Sequence, residues 1–178
     1  MTKLVIVGCG SAKRDRNLDT QTLQVDRFAA KDLYTSTYFA KKRDYAETIG
    51  DHWMILSALH GLIPPNEQIK PYDISIDNLD DEQLEAWIHR VWRVLLEWVC
   101  SHEDVEEIVV LAGKSYIEPL QEGEVFSAGI QPRVTFPLQQ PGFEGFGDQM
   151  HWLKERVESY EHEQTTLTAP DGGVSSDD

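Results

Sequence analysis

Apolar residues recur along this chain with two different periods. LVIVG (Leu4 to Gly8), WMILS (Trp53 to Ser57) and EIVVLA (Glu107 to Ala112) are short continuous apolar runs. Such runs are the signature of strands covered on both faces, so they predict buried parallel strands over Thr2 to Gly8, His52 to Ser57 and Glu107 to Ala112. Between residues 80 and 99 the period changes: Leu84, Trp87, Ile88, Val91, Leu95 and Trp98 follow i, i+3, i+4, i+7, which predicts an amphipathic helix. A second helix is expected over about 36–49. Thr35 or Ser36 caps it, Tyr38, Phe39, Tyr45, Ala46 and Ile49 form its apolar face, and Gly50 ends it.

The remaining segments are shorter or less regular. A short helix is expected from Gly113 and Lys114 toward Leu120, a fourth strand over Ile130 to Phe136 ahead of Pro137, and a closing helix over about 147–160. Residues 14–34 lack a clear period and read as a long loop. HGLIPPNEQIKPYD, from His60 to Asp73, reads as irregular because of its glycine and prolines. Strands alternating with helices predict βαβ units. The expected fold is a single three-layer α/β domain over residues 1–162, with a mostly parallel four-stranded sheet and helices on both faces. Residues 163–178, polar and acidic, are expected to be a disordered tail.

Composition adds three constraints. The chain has 178 residues, which suits one domain, and no apolar run reaches the 18 residues that a membrane helix needs. No signal-peptide pattern precedes the first strand, so a cytoplasmic protein without membrane association is expected. Cys9 and Cys100 are far apart and outside any CxxC, which argues for two reduced thiols rather than a disulfide or zinc site; no metal or cofactor is expected. The formal charge of -15 disfavours a broad nucleic-acid surface, yet residues 1–45 carry nine Lys and Arg against five Asp. A local basic feature therefore sits on an acidic body, and adaptation to high salt is the plain explanation of that acidity.

Ligands of parallel sheets gather at the strand carboxyl ends. Here the four exits read GCGSAKRD, SALHGLIPP, AGKSYIEPL and PLQQPGFEGFGDQ, all rich in small and polar residues. That points to a shared cleft, although turns are commonly rich in such residues. In the first exit, Gly8 and Gly10 let backbone approach a ligand, Ser11 can donate to an anion and Lys13 can neutralise it. The pattern is neither GxxxxGK[ST] nor GxGxxG. Cys9 is either a nucleophile with a lowered pKa near Lys13 or a small buried strand-end residue. His60 can act as acid, base or phosphate donor, or be a structural histidine. Tyr72 can stack on a base and Asp73 can bind a ribose or stabilise a cationic sugar. Tyr34 remains open between these uses, and Ser36 reads as a helix cap. Ser57, Gly113, Lys114 and Gln149 complete the ligand-binding candidates at the other exits. The remaining histidines lie on a helix, in acidic stretches or ahead of a strand, and none has metal-ligand spacing.

Five blocks in order, GCGSAK, DLYTSTYFAKKRDYAE, ILSALHGLIPP with IKPYDISI, VVLAGKSYIEPL and PGFEGFGDQMHWL, resemble the DUF6884 family of bacteria, archaea and phages over about residues 4–154. The acidic composition looks haloarchaeal. The first block, Cys9 through Lys13 followed by Tyr34 and Ser36, is also similar to the CSxxKPYSxS signature of a uracil-DNA-glycosylase-like domain in archaeosine synthase, although the stretch before Tyr34 is longer here. A weaker likeness is to YaaA-type proteins linked to DNA binding under peroxide stress. These resemblances imply a nucleotide, nucleoside or nucleic-acid ligand and N-glycosidase or base-modification chemistry. In that reading Asp73 stabilises positive charge on the sugar, His60 protonates or hydrogen-bonds the departing base, and Tyr34 or Tyr72 stacks on it. Two rivals stand beside it: a binding module without turnover, and a subunit of a modification or defence complex that uses Trp87, Trp92 and Trp98 at an interface with a protein partner.

Overall fold

Leu4, Val5, Ile6 and Val7 are each at most 1% exposed, so the first apolar run is buried on both faces, as a central strand must be. The computed structural model describes residues 1–14, 18–19 and 24–168. The chain begins with β1 (Thr2–Gly8), then a short antiparallel pair, β2 (Leu18–Asp19) and β3 (Gln24–Val25). β4 (Phe28–Ala29), the single-turn α1 (Ala30–Leu33), α2 (Thr37–Ile49) and β5 (His52–Ser57) follow. Next come β6 (Gly61–Ile63), β7 (Gln68–Ile69), a 3-10 turn at Ile76–Asn78 and α3 (Asp81–Cys100). The last elements are β8 (Val105–Leu111), α4 (Lys114–Glu122), β9 (Arg133–Thr135), a 3-10 turn at Pro137–Gln139 and α5 (Phe146–Thr168).

The main sheet has five strands in the order β6-β5-β1-β8-β9, not the expected four. β1 pairs in parallel with β5 and β8, and β8 pairs in parallel with β9. The added strand is β6, which folds back antiparallel on β5 with Ser57 opposite Gly61. Gly61 has φ +73°, a conformation that favours glycine, and it lets the chain reverse there. A three-residue run that ends at Pro64 and Pro65 is too short to display a period, and prolines stop it from pairing further. β7, in the same proline-rich connection, pairs with β4, so the long loop and that connection are tied together by Phe28–Ile69 and Ala29–Gln68 pairs.

Alternation along the strands divides the core in two. Leu4, Ile6, Ile108 and Val110 cluster with Trp87, Val91 and Leu95 of α3 and with Ile117 and Leu120 of α4. Val5, Val7, Val109 and Leu111 cluster instead with Phe39, Tyr45 and Ala46 of α2 and Leu153 of α5. Local signals start the helices. Ser36 Oγ accepts from the Phe39 N–H at the head of α2, and Asp80 and Gln83 form a reciprocal capping box on α3. α5 continues to Thr168, past the expected end of the domain at 162. Its last turns have no apolar stripe to read; Thr165, Thr166 and Thr168 hydroxyls bond back to carbonyls four residues earlier. The rest of the expected tail, 169–178, lies outside the described residues. Among the described residues, no helix is long and apolar enough to cross a membrane.

Topology selects one crevice. The chain leaves β1 for β5 on one side and then crosses to β8 on the other, so the direction of winding reverses between β1 and β8. Adjacent strand ends at such a reversal splay their connections apart and leave room for a ligand. The floor there is tight: a Cβ built on Gly8 would lie 2.9 Å from the Ala112 Cβ.

Candidate functional site

Ser57, fully buried at the end of β5, the strand beside β1, is the hub of a hydrogen-bonded network at that strand end. Its Oγ accepts from the His60 N–H at 3.1 Å, closing the turn into β6, and lies 2.7 Å from the Tyr72 hydroxyl. The Tyr72 hydroxyl in turn lies 2.8 Å from that of Tyr34. Three hydroxyls thus form a hydrogen-bonded row from β5 to the segment ahead of α2. The Trp87 indole N–H donates to the Ser57 carbonyl at 2.9 Å and fixes one end of the row. Tyr34 is fixed at the other end, because the segment after β1 pairs with residues 33–35: Thr35 N–H donates to the Ala12 carbonyl and Arg14 N–H to that of Leu33. The same pairing carries Lys13 into the site, with Nζ 4.5 Å from the Tyr72 ring centre and 5.8 Å from that of Tyr34. Burial, and then the charge of Cys9, push the Tyr34 and Tyr72 phenols well above the ordinary tyrosine range, so both stay protonated.

His60 meets Tyr72 edge to face, with ring centres 5.6 Å apart. Burial lowers its pKa, and the Arg90 cation lowers it further, so the imidazole is neutral near pH 7. Among the described residues, His60 Nε2 is the buried side-chain polar atom that lacks a hydrogen-bond partner. A buried polar atom in that state is costly unless something else, such as a ligand or water, satisfies it.

A second network lies on the β1 side. The Cys9 Sγ is 3.1 Å from the Tyr116 hydroxyl of α4. Lys42, 3% exposed on α2, donates to the Gly8 carbonyl at 2.7 Å, and its Nζ lies 4.5 Å from the Tyr38 ring centre. The Tyr38 hydroxyl donates to Gln149 Oε1 at 2.6 Å, and Gln149 Nε2 donates to the Leu138 carbonyl. Sequence reading missed Lys42, Tyr38 and Tyr116 as site residues. The signal for Lys42 was present: it falls between Phe39 and Tyr45–Ala46 on the buried stripe of α2, where a cation is unexpected.

Burial lowers the Lys42 pKa to about 8, and Cys9 opposes the shift. The native state therefore sheds this proton before the unfolded chain does, and unfolding free energy rises between pH 8 and about 10, by on the order of 2 kcal/mol. Above pH 10 the unfolded tyrosines ionise while Tyr34 and Tyr72 hold their protons, so stability falls again. Urea unfolding at pH 7.5, 9.5 and 11 checks this, and Lys42→Met should lose the rise; a flat profile from 7.5 to 9.5 in the unmodified protein would contradict it.

The sequence candidates separate into groups. Cys9, Lys13, Tyr34, Ser57, His60 and Tyr72 belong to the two networks. Ser11 is exposed beside Lys13 and accepts the Lys13 ammonium through its carbonyl at 3.3 Å. Gly10 sits so that a Cβ would lie 3.1 Å from Ser36 Oγ, which caps α2 as expected. Asp73 is exposed and, among the described residues, has no ion-pair or hydrogen-bond partner. Gly113 heads α4 with open space where a Cβ would be. Lys114 does not join the cluster: it lines a separate cavity of about 500 Å3 with Thr135, Phe136 and Gln139. Gln149 is committed to Tyr38 and Leu138 rather than open to a ligand. The Tyr34 and Tyr72 rings, expected as base-stacking surfaces, are only 5% and 8% exposed and pack against Phe39, Lys13 and His60.

Trp92 is half-buried, donates to the Ala128 carbonyl at 3.0 Å and lines a groove of about 460 Å3 between α3 and residues 123–128. Trp87 is core, and Trp98 stacks on His102 at 3.9 Å. Among the described residues no group of three or more His, Cys, Asp or Glu is placed to hold a metal.

The sequence profile of a family of unknown function, DUF6884, matches residues 4–155. The uncharacterised protein YfjM of Bacillus subtilis (strain 168) is 30% identical over 160 residues, which span 89% of this chain and 97% of that relative. Cys9, Lys13, Tyr34, Lys42, Ser57, His60, Tyr72 and Tyr116 all fall inside the matched span. The chain belongs to the DUF6884 family.

Proposed function

We propose that the strand-end crevice binds the phosphate and base of a nucleotide, nucleoside or nucleic-acid base, and cleaves or exchanges its N-glycosidic bond. The observation that carries this reading is the meeting of Lys13, the Tyr34–Tyr72–Ser57 hydroxyl row and the partnerless His60 Nε2 around one aromatic ring, that of Tyr72. Lys13 supplies the cation for a phosphate. Neutral His60, with its proton on Nε2, donates a hydrogen bond to the base as electrons collect on it, rather than transferring a proton outright. The exposed carboxylate of Asp73 offsets the positive charge that develops on the sugar as the C–N bond breaks. Water then adds hydroxyl to the sugar carbon and a proton to the base. The similarity of Cys9 through Lys13 to the archaeosine synthase signature fits the same chemistry, and the acidic surface fits a haloarchaeal origin.

The test combines ligand-induced thermal shift with chromatography of released base, on nucleosides, nucleotides and transfer RNA, in low and in molar salt. Base release that His60→Gln abolishes while binding survives supports the reading. Binding without release in the unmodified protein supports the rival module that holds its ligand without turnover. Absence of binding to every one of these ligands overturns both.

A further inference from the structure

We propose that the groove between α3 and residues 123–128 is a docking site for a cationic amphipathic helix of a partner protein. None of its lining residues belongs to the two strand-end networks, so the inference stands apart from what the crevice binds.

The groove encloses about 460 Å3 over an apolar floor, where Leu84, Ile88 and Trp92, each one turn from the next along α3, face Gly123 and Ala128. Its far wall is held in place. A Cβ on Gly123 would lie 2.6 Å from Ile88 Cγ2, so this stretch of backbone rests directly on the helix. The Trp92 indole N–H donates to the Ala128 carbonyl at 3.0 Å and ties the two walls together. Between these points the Glu124 carbonyl accepts the Ser127 and Ala128 N–H groups, and the Val125 N–H donates to the Leu120 carbonyl.

The charges around this floor define what fits it. Asp81 and Glu85 on α3 and Glu124 on the opposite wall supply the rim, and among the described residues none of the three carboxylates has an ion-pair or hydrogen-bond partner. Elsewhere on the surface, acids find cations one turn away: Glu47 pairs with Arg43 and Glu158 with Lys154. Asp81 and Glu85 instead stand at i, i+4 to each other, a like-charge spacing that destabilises a helix. The α3 N-terminus favours Asp81, but its influence ends within the first turn and accounts for neither Glu85 nor Glu124. The arginines of the helix are engaged outside the groove: Arg90 donates to the Leu59 carbonyl at 2.9 Å, and Arg90 and Arg93 line a neighbouring hollow. Glu124 is the most telling position, because its φ of +57° is one that glycine adopts freely and a residue with a Cβ rarely does. A carboxylate kept there against backbone strain points to a use for the charge.

The backbone of the groove selects a helix as its occupant. The peptide groups of α3 bond within the helix and those of the wall bond within the wall or to Trp92, so no strand edge is offered to an extended peptide. A helix satisfies its own backbone and brings side chains alone. From Asp81 to Trp92 α3 runs about 16 Å, which is room for three turns of such a helix. Apolar residues on its inner stripe cover Leu84, Ile88 and the Trp92 ring, while Lys or Arg on its flanks reach the carboxylates and the face of Trp92. The chain's own ending, APDGGVSSDD from Ala169 to Asp178, has three Asp and no Lys or Arg, so it does not supply the cation.

The probe is a synthetic Leu–Lys peptide of about 14 residues, with Leu on one helical stripe and Lys elsewhere, followed by fluorescence anisotropy against the intact chain. It should bind at low ionic strength, and a Leu–Glu counterpart should not. Reversing two rim charges, Glu85→Lys with Glu124→Lys, should weaken binding by roughly tenfold or more, whereas the same change in net charge on α5, Glu161→Lys with Glu163→Lys, should leave it within about twofold. Ala128→Trp fills the floor without altering charge and should weaken binding as strongly as the rim reversal. Circular dichroism checks that each variant is folded, and Ala128→Met replaces Ala128→Trp if the latter is not. Absence of binding to the unmodified chain, an equal loss in the α5 control, or a loss in only one of the rim and floor variants overturns the proposal. So does sedimentation velocity that shows the unmodified chain forming a dimer that Ala128→Trp dissolves, because the occupant is then a second copy. None of these readouts involves a nucleotide, so this test and that of the strand-end site fail independently.

Discussion

Trp87→Ala will lower the unfolding free energy by about 4 kcal/mol, a large share of the 5–15 kcal/mol typical of such a domain. The side chain is 2% exposed and packs in the cluster formed by one face of the sheet with α3 and α4. Truncation removes the bulkiest of the buried side chains of α3 and leaves a cavity that the strands cannot fill without moving. It also removes the indole N–H from the Ser57 carbonyl. Trp87→Phe separates the two contributions: it keeps most of the packing and loses only the donor, so it should cost about 1–2 kcal/mol. Both variants release the end of β5 where Ser57 anchors the hydroxyl row, so ligand binding should weaken even under conditions where the alanine variant remains folded. Urea titration followed by circular dichroism measures the loss, and a value below 1 kcal/mol for Trp87→Ala would contradict this account of the core.

The parts of this fold that are legible in the sequence are those whose residues act alone. Leu4 to Val7 and Trp53 to Ser57 announce strands because each needs only a covered pleated surface, and Leu84 to Trp98 announces a helix because its stripe repeats. Ser36 is readable as a cap from position and chemistry alone. What stays hidden depends on partners remote in sequence. β6 exists because Leu62 and Ile63 find Leu56 and Ile55 across a turn, not because three residues carry a pattern. The same holds in the site. Lys13, His60 and Tyr72 are candidates by residue type; Lys13 and Tyr34 are brought together by the pairing of residues 12–14 with 33–35, and Tyr34 and His60 reach Tyr72 through the hydroxyl row and the Ser57 turn, none of which the apolar pattern foretells. Tyr34 and Tyr72 look like stacking residues in isolation, yet their hydroxyls are bound to each other and their rings are covered. Lys114 and Gln149 sit at the expected strand exits but look toward other cavities and carbonyls, because a shared sheet edge several strands wide is broader than one ligand site.

Lys13→Ala will weaken binding of an anionic ligand about 30-fold while costing the fold little. The charge is half-exposed and its internal contacts are modest: one hydrogen bond to the Ser11 carbonyl at 3.3 Å and the Tyr72 ring face. Its value lies in what it offers a ligand, since a charge-assisted hydrogen bond to a phosphate contributes roughly 1.5–3 kcal/mol, or about tenfold to a hundredfold in affinity. The acidic body sharpens this effect. With a formal charge of -15 on the chain, an anion approaches against a repulsive field unless the local basic segment offsets it. Salt screens both contributions, so affinity should depend steeply on ionic strength in the unmodified protein and less steeply once the Lys13 charge is gone. Lys13→Arg keeps the charge but spreads it over a wider planar fork, and should recover part of the affinity without restoring the placement over Tyr72. Tyr72→Phe provides the complement: it keeps the ring under Lys13 while breaking the hydroxyl row, so it should spare the salt dependence and lose the orientation of the ligand. Titration calorimetry at two salt concentrations distinguishes these outcomes. An affinity unchanged within twofold in Lys13→Ala would move the anion site away from the first strand exit altogether.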